Sequence, residues 1–175
     1  GSAASGRNGG FMESTLTHGV ANGKRRFPNE IEVLEQLGLE NLDAMGEDIA
    51  SHGIDADWER VGALAVATEP HQLEWLHEEV AAAAARGDDG VRFLDEAEVR
   101  AEVDSPTYLG GVWDTRGSAL VHPAKLAAEL ARVAEELGVE IFERSPVHRI
   151  DTPGSTGAVT LVTEGGRVLA QHAVL

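Results

Sequence analysis

The run GSALVHPAKLAAELARVAEELGVEIF, residues 117–142, decides the fold class. Pro123 suits the first position of a helix, because its fixed φ is helical and its missing N–H is not needed there. Apolar residues then recur on one helical face up to Gly138, which ends the helix; they are Leu126, Leu130, Val133, Ala134 and Leu137. The pattern then predicts a short strand directly after the helix, over 139–142. A helix that leads directly into strands predicts an α/β or α+β fold.

The residues before this run predict further helices and strands. The pattern Ile31, Leu34, Leu42, Met45, Ile49 predicts a long helix that begins at Pro28, ends near Gly53 and is kinked or split at Gly38. The next predicted elements are a strand over 59–68, a helix from Pro70 to Gly87, a strand over 91–94, and a capping box of Asp95 and Glu98.

Alternation predicts the remaining strands. Residues 107–121 alternate and carry glycines, which predicts two strands paired across a turn near 115–117. Residues 147–151 form a further short strand. Residues 158–163 and 167–175 flank Glu164-Gly165-Gly166 and predict a hairpin.

Composition predicts a cytoplasmic globular protein. The chain has 175 residues and no cysteine, which excludes disulfides, thiolate zinc sites and cysteine nucleophiles. No apolar run approaches the roughly 18 residues of a membrane span, and no secretory leader is visible. The first residues form no strand and the last lie inside a strand pattern, so we expect an internal fragment of a longer protein.

The charge is strongly acidic and unevenly placed. The net charge is −16, and residues 29–102 alone hold twenty acidic residues against four arginines. Such a body repels nucleic acid and anionic membranes, so neither is an expected partner. Residues 1–28 carry a net positive charge, which favours binding of a small anion.

The loop Ser5-Gly6-Arg7-Asn8-Gly9-Gly10 is the strongest local signal for binding. Glycines let backbone N–H groups approach an anion, Arg7 adds a planar cation, and Asn8 both donates and accepts. The G-x-G-x-x-G dinucleotide spacing is absent. The alternative is a flexible linker.

The chain shows no metal-binding pattern. Its seven histidines include no H-E-x-x-H motif and no i, i+4 pair, so we expect no metal. His18 follows the basic loop and His122 stands before a helix; each fits either a cleft or an ordinary structural position. Tyr108, Trp113 and Arg116 alternate along 107–121 and either line one pocket together or pack at a sheet.

Three stretches together resemble the D-amino-acid oxidase-like (DAO) family of FAD-dependent oxidoreductases, in the branch of gamma-glutamylputrescine oxidoreductases and glycine-oxidase-like enzymes. The first is Ala4–Gly10, similar to that family's flavin-contacting loop. The second is Tyr108–Trp113 together with residues 117–142. The third is Ser145-Pro146-Val147 together with the predicted hairpin that ends at residue 175. The family's G-x-G-x-x-G strand–helix unit and its C-terminal flavin contacts are not among these residues.

The resemblance implies a fragment of a two-domain enzyme, with a Rossmann-like FAD part and an antiparallel substrate sheet. Its implied segments are an FAD-domain part over 1–53, a substrate-domain part over 54–121 and a return to the FAD domain over 122–175. The implied FAD contacts are Ser5, Gly6, Arg7, Asn8, Gly9, Gly10 and Val147. The implied substrate-side residues are His18, Tyr108, Trp113, Arg116 and His122.

The implied activity is oxidation of a small amine or amino acid by hydride transfer to flavin N5, with hydrolysis of the resulting imine. The resemblance gives no catalytic acid or base, and we expect the fragment alone to be inactive. Two alternatives remain: an FAD-dependent dehydrogenase of a hydroxy acid or polyol phosphate, and a non-catalytic anion-binding module.

Overall fold

The computed structural model describes residues 4–15, 19–151 and 157–174, without the side chains of Val20 and Ala21. The chain divides into two compact units, Gly1–Val133 and Ala134–Leu175. The three segments implied by the family resemblance remain a prediction.

Helices form where the sequence has helical apolar periodicity. They are α1 (Val20–Arg26), α2 (Ile31–Ser51), α3 (Gln72–Ala85), α4 (Glu96–Glu102) and α5 (Pro123–Glu136). α5 begins at Pro123 as predicted. α2 begins at Ile31 and not at Pro28, which lies in a turn before it. Gly38 does not split α2; it lies buried where the backbone of Ser14 crosses the helix, too close for any side chain.

The strands pair only in antiparallel fashion within the described residues, and this mixed α/β architecture confirms the predicted fold class. They are β1 (Phe11–Glu13), β2 (Ala63–Ala67), β3 (Val91–Leu94), β4 (Gly110–Asp114), β5 (Ser118–Leu120), β6 (Arg149–Asp151), β7 (Val159–Val162) and β8 (Arg167–Ala170). The first unit holds a β1–β5 pair and a sheet in the order β2–β4–β3, and the second holds the sheet β6–β7–β8.

Two apolar clusters lie in the first unit. α3 packs on the β2–β4–β3 sheet through Ala67, Leu76 and Val112. The end of α2 meets α5 through Ile49 and Val133, together with Ile54 and Ala56 of the connecting segment.

The prediction that the two strands of 107–121 pair with each other is wrong. The turn exists, because one carboxylate oxygen of Asp114 accepts from the backbone N–H groups of Arg116 and Gly117, each at 2.9 Å. Both edges of β4 are already occupied by β2 and β3. β5 therefore pairs with β1, in the register Phe11–Leu120 to Glu13–Ser118.

The predicted strand over 139–142 is also wrong. Val139, Ile141 and Phe142 are exposed, and the segment has no ladder partner in the described chain. The final hairpin is confirmed as β7–β8 and the strand before it as β6.

The capping box of α4 is confirmed. The Asp95 carboxylate accepts from the Glu98 N–H, and the Glu98 carboxylate accepts from the Asp95 N–H, each at 2.9 Å. Among the described residues, none of the helices combines the length and the apolar composition that a bilayer crossing requires.

Gly38→Ala tests whether the crossing of Ser14 over α2 limits the packing. Alanine improves helix propensity by about 1 kcal/mol. At this position, however, its methyl group would overlap the Ser14 carbonyl, so we expect a net loss of about 2 kcal/mol or more in the free energy of unfolding.

The matched control is Gly46→Ala on the same helix, where the new methyl lies 3.1 Å from the half-buried Trp58 ring. We expect it to change stability by less than about 1 kcal/mol, because a side chain adjusts more easily than a backbone. Urea denaturation of both variants measures the difference, and equal midpoints would contradict the constraint at Gly38.

Candidate functional site

The loop Ser5–Gly10 is ordered by its own hydrogen bonds. Residues Ala4–Gly6 form a 3-10 turn, and the Arg7 N–H donates to the Ala4 carbonyl at 3.0 Å. The Asn8 amide donates to the carbonyls of Ala4 at 3.2 Å and Ser5 at 3.1 Å, and its oxygen accepts from the Gly10 N–H at 2.9 Å. Asn8 therefore closes the loop.

Gly10 fixes the loop to the start of α5. It is buried with φ of +76°, and its carbonyl accepts from the Val121 N–H at 2.9 Å. A Cβ atom here would overlap the Val121 carbonyl and lie 3.3 Å from Pro123. Only glycine fits this conformation and this contact.

The β1–β5 ladder continues this attachment. The buried Ser118 hydroxyl donates to the Glu13 carboxylate at 2.7 Å, and the Ser14 N–H donates to the Gly117 carbonyl at 2.8 Å. The loop is thus continuous with a strand held at both ends.

The outer face of the loop presents hydrogen-bond donors. Arg7, Asn8 and Gly9 are exposed, and the backbone N–H groups of Asn8 and Gly9 donate to no acceptor in the part of the chain described. Two adjacent N–H groups beside a guanidinium form a site for electronegative oxygens.

His122 is held beside the loop. Its N–H donates to the Ala56 carbonyl at 2.7 Å, and its Nδ1 accepts from the Lys125 N–H at 3.3 Å, so it caps α5. Lys125 in turn binds the Asp57 carboxylate at 2.6 Å, and this hydrogen bond raises the pKa of the lysine.

Of the two alternatives for Tyr108, Trp113 and Arg116, a single pocket lined by all three is not found in the structure. Trp113 lines a small cavity of about 170 Å³ near Val61, and its ring lies 5.1 Å from the Arg92 guanidinium. Arg116 lines a different cavity and forms an ion pair with Asp88. The alternation of β4 points Trp113 and Asp114 to opposite faces of the sheet, and Arg116 follows Asp114 in the turn.

Tyr108 is half-buried before β4, and its backbone carbonyl accepts from Arg100 Nε at 3.1 Å. His18 lies outside the described residues. Val147 belongs to the second unit, where it is 48% exposed in an irregular segment before β6.

Sequence reasoning did not single out Glu35 on α2 or Glu79 on α3, which line the same cavity as Arg116. A signal for Glu35 was present, because it stands four residues after Ile31 and three before Gly38 on the buried side of α2.

Asn8→Ala tests the internal closure of the loop. The Gly10 amide loses its acceptor, so we expect its hydrogen exchange to become about fivefold faster, as for one lost hydrogen bond of about 1 kcal/mol. Ser5→Ala is the control, because the exposed Ser5 hydroxyl bonds to nothing in the described chain. NMR-detected exchange compares the two, and an unchanged rate in Asn8→Ala would remove Asn8 as the closing residue.

Comparison with known proteins gives this arrangement a family. A family model described as FAD dependent oxidoreductase (DAO) matches residues 1–175. The probable oxidoreductase OrdL of Haemophilus influenzae is 28% identical over 176 residues, which are 100% of this chain and 40% of that protein. The gamma-glutamylputrescine oxidoreductase of Escherichia coli is also 28% identical over 176 residues, with the same 100% and 40% coverage.

The fold is also found in a solved structure. Glycine oxidase from Geobacillus kaustophilus superposes with a TM-score of 0.74 at 22% identity, over 98% of this chain and 44% of that one. The chain spans about 40% of the length of the curated relatives it matches. Since the family model covers every residue, the chain belongs to the DAO family of FAD-dependent oxidoreductases.

Proposed function

We propose that the whole protein oxidises a small-molecule amine or amino acid, and that the loop Ser5–Gly10 contacts its FAD. The observation that carries this proposal is the outer face of the loop. There the backbone N–H groups of Asn8 and Gly9, which donate to no acceptor among the described residues, adjoin Arg7. The printed names of the relatives, a glycine oxidase and a gamma-glutamylputrescine oxidoreductase, support the substrate class.

The loop residues fit FAD at one edge. Carbonyl and phosphate oxygens of such a cofactor accept hydrogen bonds, and Asn8 N–H, Gly9 N–H and the Arg7 guanidinium are donors at an exposed surface. FAD, when bound, supplies the capacity to accept a hydride from the substrate. In this proposal the loop residues themselves position the FAD and polarise the edge that they contact.

Arg7 has the electrostatic role in this proposal. A fixed cation beside the site stabilises negative charge that develops there, and it needs no reorganisation if its loop is already ordered. The Asn8 amide and the buried Gly10 supply that order. Ser5, Gly6 and Gly9 border the cofactor in the same proposal, and Val147 contacts its adenine end.

His122 is the proposed substrate-side residue with the clearest link to the loop, because its neighbour Val121 is bonded to Gly10. Tyr108, Trp113, Arg116 and His18 remain proposals on that side. The ion pair with Asp88 gives Arg116 a structural task in addition.

The direct test is the visible absorption spectrum of the protein expressed from its complete gene. We expect flavin bands that an amine or amino acid bleaches under anaerobic conditions. Flavin bands that only a hydroxy acid or polyol phosphate bleaches would contradict the amine substrate and favour the dehydrogenase alternative. A colourless folded protein that takes up no added FAD would leave an anion-binding module.

Arg7→Ala in that protein tests the loop assignment. Loss of one charge-assisted interaction of about 1.5–3 kcal/mol with the reduced flavin lowers the two-electron potential by about 30–60 mV. Arg7→Lys keeps the positive charge, so we expect this variant to retain most of the interaction and to shift the potential much less. Spectroelectrochemistry measures the shift.

Arg26→Ala is the matched control, since Arg26 is an exposed arginine in the same basic segment at the end of α1. It is expected to leave the potential unchanged. Equal shifts for Arg7→Ala and Arg26→Ala would show a general charge effect and remove the assignment of Arg7.

A further inference from the structure

Phe11 is an exposed aromatic side chain directly after the loop Ser5–Gly10. It is the first residue of β1, and 72% of it is exposed to solvent. Among the large apolar side chains that the structure describes in the first unit, none is more exposed. Single exposed apolar residues are common on protein surfaces, so the surroundings of Phe11 decide what its exposure means.

The backbone around Phe11 is held in place by β5. The carbonyl of the preceding Gly10 accepts from the Val121 N–H at 2.9 Å. Phe11 itself pairs with Leu120 in the β1–β5 ladder. Successive side chains of a strand point to opposite faces, and the next residue, Met12, is half-buried. The ladder therefore fixes the open face of β1 as the one from which the Phe11 ring projects.

The Phe11 ring lies against the backbone of Gly9. A Cβ atom on Gly9 would lie 3.0 Å from both Cδ2 and Cε2 of this ring. Gly9 does not have a positive φ, so its lack of a side chain is explained by the ring contact and not by the backbone conformation. The ring and the loop therefore form one continuous surface.

This surface combines an aromatic face with hydrogen-bond donors. The backbone N–H groups of Asn8 and Gly9 donate to no acceptor in the described part of the chain, and Arg7 is exposed beside them. A flat conjugated ring with electronegative atoms on its edge is complementary to both parts of such a surface. FAD, the cofactor of the family to which this chain belongs, contains a ring system of this kind.

We propose that Phe11 is a further FAD-contacting residue, whose ring packs against the conjugated ring system of FAD. The N–H groups of Asn8 and Gly9 then donate to electronegative atoms at the edge of that ring system. Aromatic contact adds to the free energy gained by burying apolar surface, so Phe11 contributes to FAD affinity. This inference rests on the proposed contact between the loop Ser5–Gly10 and FAD, and it is independent of the substrate.

The test is titration with FAD of the FAD-free protein expressed from its complete gene. We expect Phe11→Ala to weaken FAD binding at least about tenfold, because it removes an apolar side chain that FAD would bury. Phe11→Tyr keeps the ring, so its affinity is expected to stay within about twofold of the unsubstituted protein. Phe27→Ala is the matched control, because Phe27 is an exposed phenylalanine just after α1 and outside the loop. It is expected to leave the affinity unchanged.

Gly9→Ala tests the contact between the loop and the ring. The new methyl group displaces the Phe11 ring, so we expect FAD binding about threefold weaker than in the unsubstituted protein. In the Phe11→Ala background this overlap is gone, and the substitution at Gly9 is expected to cause no further loss. Additive losses in the double variant would contradict a shared surface.

The outcomes separate this inference from the proposed function. An FAD affinity that is unchanged in Phe11→Ala, or equally reduced in Phe27→Ala, would overturn the role of Phe11 and leave the proposed function intact. A raised KM for the amine with unchanged FAD affinity would overturn it too and assign the ring to the substrate. An unsubstituted protein that binds no FAD would remove both.

Two further measurements keep the test decisive. Far-ultraviolet circular dichroism checks folding, and if Phe11→Ala does not fold, Phe11→Leu replaces it, with an expected loss of about threefold from the missing aromatic contact. If FAD does not dissociate from the unsubstituted protein, circular dichroism of the flavin bands replaces the titration. We then expect altered bands in Phe11→Ala and unaltered bands in Phe27→Ala, and equal spectra for the two would overturn the inference.

Discussion

The antiparallel contact between β1 and β5 is the interaction on which the site geometry depends. The contact is short, Phe11–Glu13 against Ser118–Leu120, and short ladders are weak alone. Here each end is reinforced: Gly10 bonds to Val121 on one side, and Ser14 bonds to Gly117 on the other. The position of the loop before β1 is therefore set by β5, the strand that leads into α5.

Backbone contacts without side chains make this arrangement specific. Gly10 approaches the Val121 carbonyl, and Gly38 of α2 approaches the Ser14 carbonyl, at distances that exclude a Cβ atom. Residues 10–14 thus pass between α2 on one side and the β5–α5 junction on the other. Two glycines far apart in the sequence set the path of one segment, and neither acts through helix breaking or loop flexibility.

The sequence was most informative where structure depends on neighbours along the chain. The α5 periodicity, the Asp95–Glu98 capping box and the β7–β8 hairpin are all local, and each was predicted. Pairing between distant segments was not predictable in the same way. The partner of β5 is set by β2 and β3, which occupy both edges of β4. Residues 139–142 have strand composition but no strand to pair with in the described chain.

The candidate site shows the same division. The composition of Ser5–Gly10 identified a binding loop, because glycine, arginine and asparagine have intrinsic chemical properties that need no fold to recognise. The separation of Trp113 from Arg116 depends on which face of β4 each follows. The partial burial of Glu35 depends on α3 lying opposite α2. Those facts arise only once distant elements have packed.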